Sequence, residues 1–249
     1  MIRLVVIVIF FATSVFHVKS SDSLFTKGIS EMALENYREA LEYFQKDVEA
    51  NPNFSSFYNL GVAAGNVEDW FMAKWAFESA LKLNPFHHDT KHNAELATRQ
   101  LSPNIEWTHP YKWTNRIFLG VGIHFWLMLG FISSAFLGLY VFAKVSKKDI
   151  EPEKMEWLKR FSVIFGVILI IALIGTYKVN QHFSSIRYGV PKSADIPTFV
   201  SPNGVELDVS FPIGTRLDVE KLKTTKEWVY VKYNKNEGFW VKAESIYLY

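Results

Sequence analysis

The chain has 249 residues, a formal net charge of +2 and no cysteine. The lack of cysteine excludes disulfide bonds, thiolate metal sites and cysteine nucleophiles. The small net charge argues neither for nucleic acid nor for a polyanionic surface as a partner, and no nucleic-acid partner is expected. Because the apolar residues are concentrated in separate stretches, we assign the chain segment by segment.

Residues 1–20 have the pattern of a secretory signal peptide. Arg3 precedes an apolar stretch of 13 residues from Leu4 to Phe16, and Val18 and Ser20 offer small side chains at a cleavage site. Thirteen residues are too few to cross a hydrocarbon core of about 30 Å as a helix. We expect a signal peptide that is removed, and an uncleaved anchor is the alternative because one arginine makes a weak basic region.

A helical motif then repeats with a period of 33 residues and ends each time at Asn-Pro, where proline stops the helix. The matching positions are Tyr37 and Trp70, Ala40 and Ala73, Phe44 and Phe77, and Pro52 and Pro85. Helical spacing of apolar residues predicts a first helix over 23–34, a turn at Glu35-Asn36 and a second helix to Ala50. The second unit has a predicted turn at Gly65-Asn66, and a further helix over 88–101 would cap the stack.

These residues resemble the tetratricopeptide repeat (TPR) family. The second repeat carries the family signature at Leu60, Gly61, Trp70, Ala73, Phe77, Ala80 and Pro85. The first repeat departs from it, because Lys27 stands in place of leucine and Asp47 in place of alanine. The resemblance implies a superhelical stack of helix pairs whose first helices line a concave groove.

The resemblance also implies which side chains face that groove. They are Phe25, Ile29, Tyr58, Asn59 and Asn93. In the family, asparagine at the position of Asn59 and Asn93 often binds the backbone of an extended ligand. Phe25 and Ile29 stand where some relatives carry carboxylate-binding residues, so an apolar and aromatic groove is expected. The alternative is that all five residues only pack the superhelix.

Two apolar stretches follow the repeats. Residues 117–143 contain no Asp, Glu, Lys or Arg, and 27 residues at 1.5 Å each exceed the apolar thickness of a bilayer. Residues 161–177 are 17 residues long, which is the lower limit for a span. The pattern therefore predicts two transmembrane helices.

Basic residues orient this pair. The loop 144–160 carries six of them: Lys144, Lys147, Lys148, Lys154, Lys159 and Arg160. Each outer flank carries three, at Arg99, Lys112 and Arg116 and at Lys178, Arg187 and Lys192. Because cytoplasmic loops are enriched in Lys and Arg, the loop is predicted in the cytoplasm and both termini in the periplasm.

Small residues recur every four positions in the first span, at Gly130, Ser134 and Gly138. Such a track allows close packing of a second helix. The partner would be the second span, at Gly166, or a second copy of the chain.

The tail changes to a period of two residues, which predicts short strands. The strings FPIGTRLDV, EWVYVKY and EGFWVKAESIYL resemble a bacterial SH3-like domain of about 55 residues. Trp228 and Trp240 are expected in its core or rim, and Tyr233 and Phe239 are expected on its surface, where they could contact a ligand.

Catalytic patterns do not stand out, and no enzyme activity and no cofactor are expected. His88 and His92 have helical spacing that a metal site could use, but a solvated helix face is the simpler interpretation, so no metal site is predicted. His124 lies near the outer end of the first span, where a proton or ligand role is a minor alternative.

The predicted fold class is a multidomain membrane protein with α-helical TPR repeats, two transmembrane helices and a small all-β SH3-like barrel. The predicted segments are the signal peptide 1–20, the TPR domain 21–103, an interfacial linker 104–116, the spans 117–143 and 161–177 around the basic loop 144–160, a linker 178–193 and the SH3-like domain 194–249.

This order of parts resembles the E-type proteins of the Bat aerotolerance system, membrane-associated bacterial proteins with partners that carry von Willebrand A domains. The resemblance implies a role in oxidative-stress tolerance or envelope assembly. Two functions follow as expectations: a scaffold that holds membrane or periplasmic proteins beside the inner membrane, or a sensor whose tail binds peptidoglycan. A transporter or enzyme subunit has little support, because two spans make a poor pathway.

Overall fold

A helical repeat, two long apolar helices and an antiparallel sheet make up the chain. The computed structural model describes residues 22–146, 151–185, 188–209, 211–232 and 238–249, and the predicted signal peptide lies outside these ranges. The described helices are α1 (Asp22–Ala33), α2 (Tyr37–Ala50), α3 (Phe54–Asn66), α4 (Trp70–Leu83), α5 (His88–Leu101), α6 (Trp113–Gly120), α7 (Gly122–Val145) and α8 (Pro152–Ser184). The predicted combination of helices, two candidate spans and a strand-rich tail is confirmed.

Helices α1 to α4 form a repeat in space as well as in sequence. The Phe44 ring lies against Gly28, and 33 residues later the Phe77 ring lies against Gly61. A Cβ atom at either glycine would come within 2.6 Å or 2.7 Å of the ring. The absence of a side chain therefore lets the two helices of each pair approach closely around one buried phenylalanine.

The turns inside the two helix pairs also correspond. Glu35 has a φ of 60° and Glu68 a φ of 62°, so a left-handed residue connects the helices in both pairs. The first turn agrees with the prediction, whereas the second lies two residues later than predicted. Gly65 remains helical, and the turn forms before Asp69, whose side chain caps α4 by accepting from the Met72 amide over 3.0 Å.

Gly122 divides the apolar stretch that was predicted as one span over 117–143. Its φ of +72° lies in the left-handed region, which favours glycine. Helix α6 therefore ends before it and α7 begins at it. The predicted interfacial linker 104–116 likewise includes the first turn of α6.

Helix α8 is longer than the predicted second span at both ends. It begins at Pro152, which suits the first turn of a helix because the amide there needs no partner. It continues to Ser184, and Val179 and His182 are buried in its last turns. Much of the predicted loop 144–160 and the first half of the predicted linker 178–193 are therefore helical.

Two described helices, α7 and α8, are long and apolar enough to cross a membrane. Only 11% of the apolar window of α7 and 17% of that of α8 is buried within the chain. A core helix of a soluble protein would bury most of such a surface. The exposed apolar side chains of both helices are therefore suited to contact with lipid.

The two long helices pack through Trp126, Gly130 and Gly175. The Trp126 indole covers Gly175, and its Nε1 donates to the Phe118 carbonyl over 2.9 Å. Gly130 faces Ala172, whose Cβ would lie 3.6 Å from an added Cβ. The predicted close approach at Gly166 is wrong, because nothing lies within 4 Å of a Cβ built there.

The predicted small-residue track contacts α8 only at its first member. Ser134 is exposed, and a Cβ at Gly138 would meet nothing within 4 Å. At 3.6 residues per turn each step of four residues advances about 40° around the helix, so the track rotates away from α8. The buried polar residue of α7 beside Gly130 is Ser133 instead.

The tail forms an antiparallel sheet. Its strands are β1 (Tyr188–Pro191), β2 (Thr198–Phe199), β3 (Glu206–Leu207), β4 (Leu217–Val219), β5 (Trp228–Lys232), β6 (Gly238–Lys242) and β7 (Ile246–Leu248). The order is β3-β2-β6-β5-β4-β1-β7, so the described pairs form a sheet with β3 and β7 at its edges rather than a closed ring. Strand β1 begins before the predicted domain boundary at 194. Alternate residues of β5 and β6 form the core, with Val229, Val231 and Val241 fully buried.

Gly175→Ala tests the packing of the two long helices. A Cβ at this position would lie 2.3 Å from the Trp126 indole, so we expect a loss of about 1–3 kcal/mol in stability, as is typical of overpacking. Gly166→Ala is the matched control on the same helix and should cause no loss. Thermal unfolding of the full chain in detergent measures both, and equal melting temperatures for the two variants would contradict this packing.

Candidate functional site

Glu78 on α4 is the centre of the contact between the helical repeat and the sheet. Its side chain is fully buried. Lys74, one turn earlier, donates from Nζ to Glu78 Oε1 over 2.8 Å. Arg216, just before β4, donates from Nη2 to Oε1 over 2.7 Å and from Nε to Oε2 over 3.0 Å. A bidentate pair between arginine and a carboxylate is among the strongest polar contacts in proteins.

Two further donors complete the hydrogen bonds of this carboxylate. Trp107 Nε1 donates to Glu78 Oε1 over 3.0 Å, and the Tyr249 hydroxyl donates to Oε2. A carboxylate offers about four lone-pair positions, so these contacts saturate it. Lys74 also donates to Thr98 Oγ1 on α5 over 2.8 Å. We call this set the Glu78 cluster, which comprises Lys74, Glu78, Thr98, Trp107, Arg216 and Tyr249.

The charges of the Glu78 cluster offset part of the cost of burial. Burial alone would raise the pKa of the Glu78 carboxyl, but the charges of Lys74 and Arg216 and their hydrogen bonds hold that pKa well below its usual value. Burial lowers the pKa of the Lys74 ammonium, and Glu78 opposes this effect. Burial would also lower the pKa of Arg216, yet Glu78 keeps it above its usual value. Glu78 is therefore the ionised counterion of two buried cations.

Further contacts extend along α4 on both sides of the cluster. The Trp75 ring stacks on the Tyr247 ring with centroids 4.7 Å apart, and Trp75 Nε1 donates to the Leu248 carbonyl over 3.0 Å. Near the end of α4, Lys82 donates to the Ser185 carbonyl over 2.9 Å. Helix α4 therefore contacts the part of the chain that follows α8 over about two turns.

His109 connects the segment between α5 and α6 to the repeat through hydrogen bonds. Its Nδ1 accepts from the Tyr111 amide over 3.0 Å, and its Nε2 lies 3.1 Å from the Pro85 carbonyl. Burial, and then the charge of Arg116, lower the pKa of His109 to about 4. A neutral imidazole with its proton on Nε2 satisfies both contacts.

An open cavity of about 340 Å³ lies beside the Glu78 cluster. Its described lining residues are Lys74, Thr98, Ile105, Glu106, Trp107, Thr108, Tyr188, Gly214, Thr215, Arg216 and Asp218. Cations, carboxylates and hydroxyl groups all face this space. It therefore suits a polar group better than an apolar one.

A second cavity, of about 240 Å³, opens between α3 and α5. We call it the apolar pocket, and its described lining residues are Gly61, Val62, Gly65, Asn66, Trp70, Phe77, Asn93 and Leu96. Trp70, Phe77, Val62 and Leu96 supply its apolar surface, and two asparagines supply amide groups. Such a lining is typical of a site that binds a hydrophobic side chain and orients it by a few polar contacts.

The predicted groove residues are not brought together in this pocket, which includes only Asn93. Phe25 packs against the Phe44 ring at 5.8 Å, and Tyr58 packs edge-on against Phe77 at 6.0 Å. Asn59 donates its amide to the Ser55 carbonyl of its own helix over 2.8 Å. The fifth predicted residue, Ile29 on α1, is 41% exposed. The packing alternative therefore describes the contacts of Phe25 and Tyr58.

The expectation of an exposed Phe239 is wrong. Phe239 is only 3% exposed and packs against Phe211 with ring centroids 4.8 Å apart. The alternation of β6 turns Phe239 and Val241 into the core and leaves Trp240 only partly buried. Tyr233 lies outside the described residues.

The histidines singled out from the sequence lie on exposed surfaces. His88 and His92 on α5 are both exposed, and His88 lies 3.7 Å from the Asp89 carboxylate. His124 on α7 is also exposed. Within the described ranges, no three His, Cys, Asp or Glu side chains converge as metal ligands would. His87 caps α5 by accepting from the Thr90 amide over 3.3 Å.

Sequence reasoning missed the Glu78 cluster. Lys74 and Glu78 are four residues apart, a spacing that normally indicates an exposed ion pair on a helix surface. Arg216 follows Glu78 by 138 residues, so no local pattern connects them. The one local signal is the composition of α4, WFMAKWAFESALKL, which leaves no continuous polar face for these charges.

Comparisons with protein-family models, with curated proteins and with solved structures found no match for this chain. The contacts and cavities of the chain itself therefore carry the functional argument.

Glu78→Gln tests the central role of this carboxylate. The amide keeps the shape but leaves Lys74 and Arg216 buried without a counterion, so we expect a loss of about 3–5 kcal/mol in the free energy of unfolding. Glu95→Gln is the matched control, because its pair with Arg99 is on the surface and contributes about 0–1 kcal/mol. Urea unfolding measures both changes. Equal losses for the two variants would contradict the role of Glu78.

Proposed function

We propose that this chain is a membrane-anchored scaffold that recruits partner proteins at the periplasmic face of a bacterial inner membrane. The observation that carries the proposal is the contact at Glu78, where the sheet that follows α8 is packed against the helical repeat that precedes α7. Two folded regions separated by two apolar helices would thereby form one unit beside the membrane.

The contact supports a two-span topology. A chain that crosses a bilayer once puts its flanking regions on opposite sides, where Arg216 could not reach Glu78. Two crossings return the chain to its starting side, and α7 and α8 supply two candidate spans. A chain with no crossing would expose both apolar helices to water, which is unfavourable at about 25 cal/mol per Å² of apolar surface.

The distribution of basic residues supports the orientation. Lys144 at the end of α7 and Lys154, Lys159 and Arg160 at the start of α8 lie at the ends remote from the repeat and the sheet. Cytoplasmic ends of spans are enriched in such residues. We therefore assign these ends to the cytoplasm and both termini to the periplasm.

The apolar pocket is the proposed recruitment site. The repeat-like Gly and Phe contacts support the assignment of α1 to α5 to the TPR family, and the strand pattern supports an SH3-like tail. The resemblance to the E-type Bat proteins then suggests proteins with von Willebrand A domains as partners, in an oxidative-stress or aerotolerance complex. An anchored site of this kind would raise the effective concentration of a partner at the membrane without strong individual contacts.

The alternative is a sensor that binds peptidoglycan through the tail. No contact among the described residues specifically supports it. It relied on exposed aromatics, and Phe239 is buried. We therefore prefer the scaffold.

Leu96→Lys tests recruitment by the apolar pocket. Leu96 is 40% exposed in the pocket, and a charge there should reduce recovery of a bound partner by about tenfold or more, because an ammonium group would have to be desolvated. The matched control is Leu34→Lys, since Leu34 is 67% exposed outside the pocket. Chemical crosslinking in intact cells, followed by purification of the full chain, measures recovery.

We expect the same crosslinked proteins with the wild type and with Leu34→Lys, and their loss with Leu96→Lys. An unchanged set of proteins with Leu96→Lys would contradict recruitment at this pocket. Membrane extraction of each variant shows whether it is still inserted.

A further inference from the structure

We propose that a small cavity between α6 and α8 binds the phosphodiester group of a glycerophospholipid. We call it the headgroup cavity. The inference rests on the membrane insertion proposed above, and it adds a lipid ligand that recruitment of a protein partner does not require.

The headgroup cavity is built from matching positions on the two helices. It has a volume of about 60 Å³. Helix α6 contributes Asn115, Phe118 and Leu119, and α8 contributes Lys178, Gln181 and His182. Both sets have the spacing i, i+3 and i+4, so each is one face of its helix.

The charge of the cavity suits an anion. Lys178 is its cationic side chain, and none of the described lining residues is acidic. Asn115 and Gln181 add amide groups that can donate hydrogen bonds. A phosphodiester carries one negative charge and two unesterified oxygens, which these three groups can bind together. An apolar protein segment in the same place would cover the Lys178 ammonium without supplying an anion, at a cost in free energy.

The size of the cavity limits the group that can enter it. About 10–15 Å³ of such space holds one water molecule, so 60 Å³ admits a group of a few non-hydrogen atoms. A phosphate group is of this size, whereas a sugar or a peptide is not. The remainder of a lipid would have to lie outside the cavity, along the surface of the helices.

The position of the cavity provides a surface for that remainder. On α8, Ile171 and Ile174 are 45% and 47% exposed, and they share a helix face with Lys178. This face changes from apolar to cationic within about one turn. Acyl chains against the isoleucines would therefore bring a phosphate to the level of Lys178.

Exposed aromatic residues mark the same level. Tyr177 on α8 is 63% exposed, and Trp113 at the start of α6 is 68% exposed. Tyr and Trp are enriched where a membrane protein meets the headgroup region. The headgroup cavity therefore lies at the depth at which lipid phosphates are found.

Titration with phosphatidylglycerol tests the proposal. The full chain is purified in detergent, and native mass spectrometry records the number of bound lipids at each concentration. We expect one molecule of phosphatidylglycerol to bind the wild type more tightly than any further molecules do. Lys178→Gln should bind it about five- to tenfold more weakly, through loss of one charge near the phosphate. Asn115→Asp should also weaken binding, because it adds a negative charge near the phosphate without changing the shape of the side chain.

Lys144→Gln is the matched control, because Lys144 is a cation at the opposite end of the long helices. It should bind phosphatidylglycerol as the wild type does. Equal binding by Lys178→Gln and the wild type would overturn the proposal, and so would equal weakening by Lys178→Gln and Lys144→Gln. Displacement of the lipid by inorganic phosphate at similar concentration would also overturn it, because the site would then bind a soluble anion.

Alkaline extraction of cell membranes distinguishes this proposal from the membrane anchor. A chain that is released into the soluble fraction is not inserted, and the proposed anchor and lipid site both fail. A chain that stays in the membrane but shows no effect of Lys178→Gln retains its anchor and lacks the headgroup site.

Discussion

The buried carboxylate of Glu78 is the interaction on which the rest of the structure depends. It is ion-paired with Lys74 from its own helix and with Arg216 just before β4, and it accepts hydrogen bonds from Trp107 and Tyr249. Because an unpaired buried charge costs several kcal/mol, these partners cannot separate without a large penalty. The carboxylate therefore fixes one arrangement of the repeat and the sheet. Apolar contacts alone would specify that arrangement less strictly.

This fixed arrangement bears on the role of the two long helices. Helices α7 and α8 bury little of their apolar surface against the chain, but they pack against each other through Trp126 and Gly175. They leave the folded regions at one end and carry basic residues at the other. An apolar pair attached to a polar unit at a single end is the arrangement that a membrane hairpin requires. The apolar pocket and the headgroup cavity would then face partners and lipids on the same side.

Local patterns in the sequence predicted the elements well, and long-range contacts poorly. The 33-residue period predicted the helix pairs correctly. It reflects the packing of Phe44 and Phe77 on a glycine of the preceding helix, and that contact joins residues close together in the chain. The strands after residue 216 followed from their alternation. The predicted exposure of Phe239 was wrong, because alternation shows which residues share a face but not which face the sheet buries. Strand β1 and the Glu78 cluster were missed because their partners lie far along the chain. The same holds for the apolar pocket, whose lining comes from three helices.

Labelling of single cysteines in intact cells tests the central claim, that the repeat and the sheet share one side of the membrane. The chain has no native cysteine, so Leu34→Cys in the repeat, Leu222→Cys in the turn between β4 and β5 and Lys154→Cys at the far end of α8 can each be labelled alone. All three positions are exposed. A maleimide that cannot cross membranes should label the first two in intact cells and the third only after lysis. Labelling of one of the first two without the other would contradict the account.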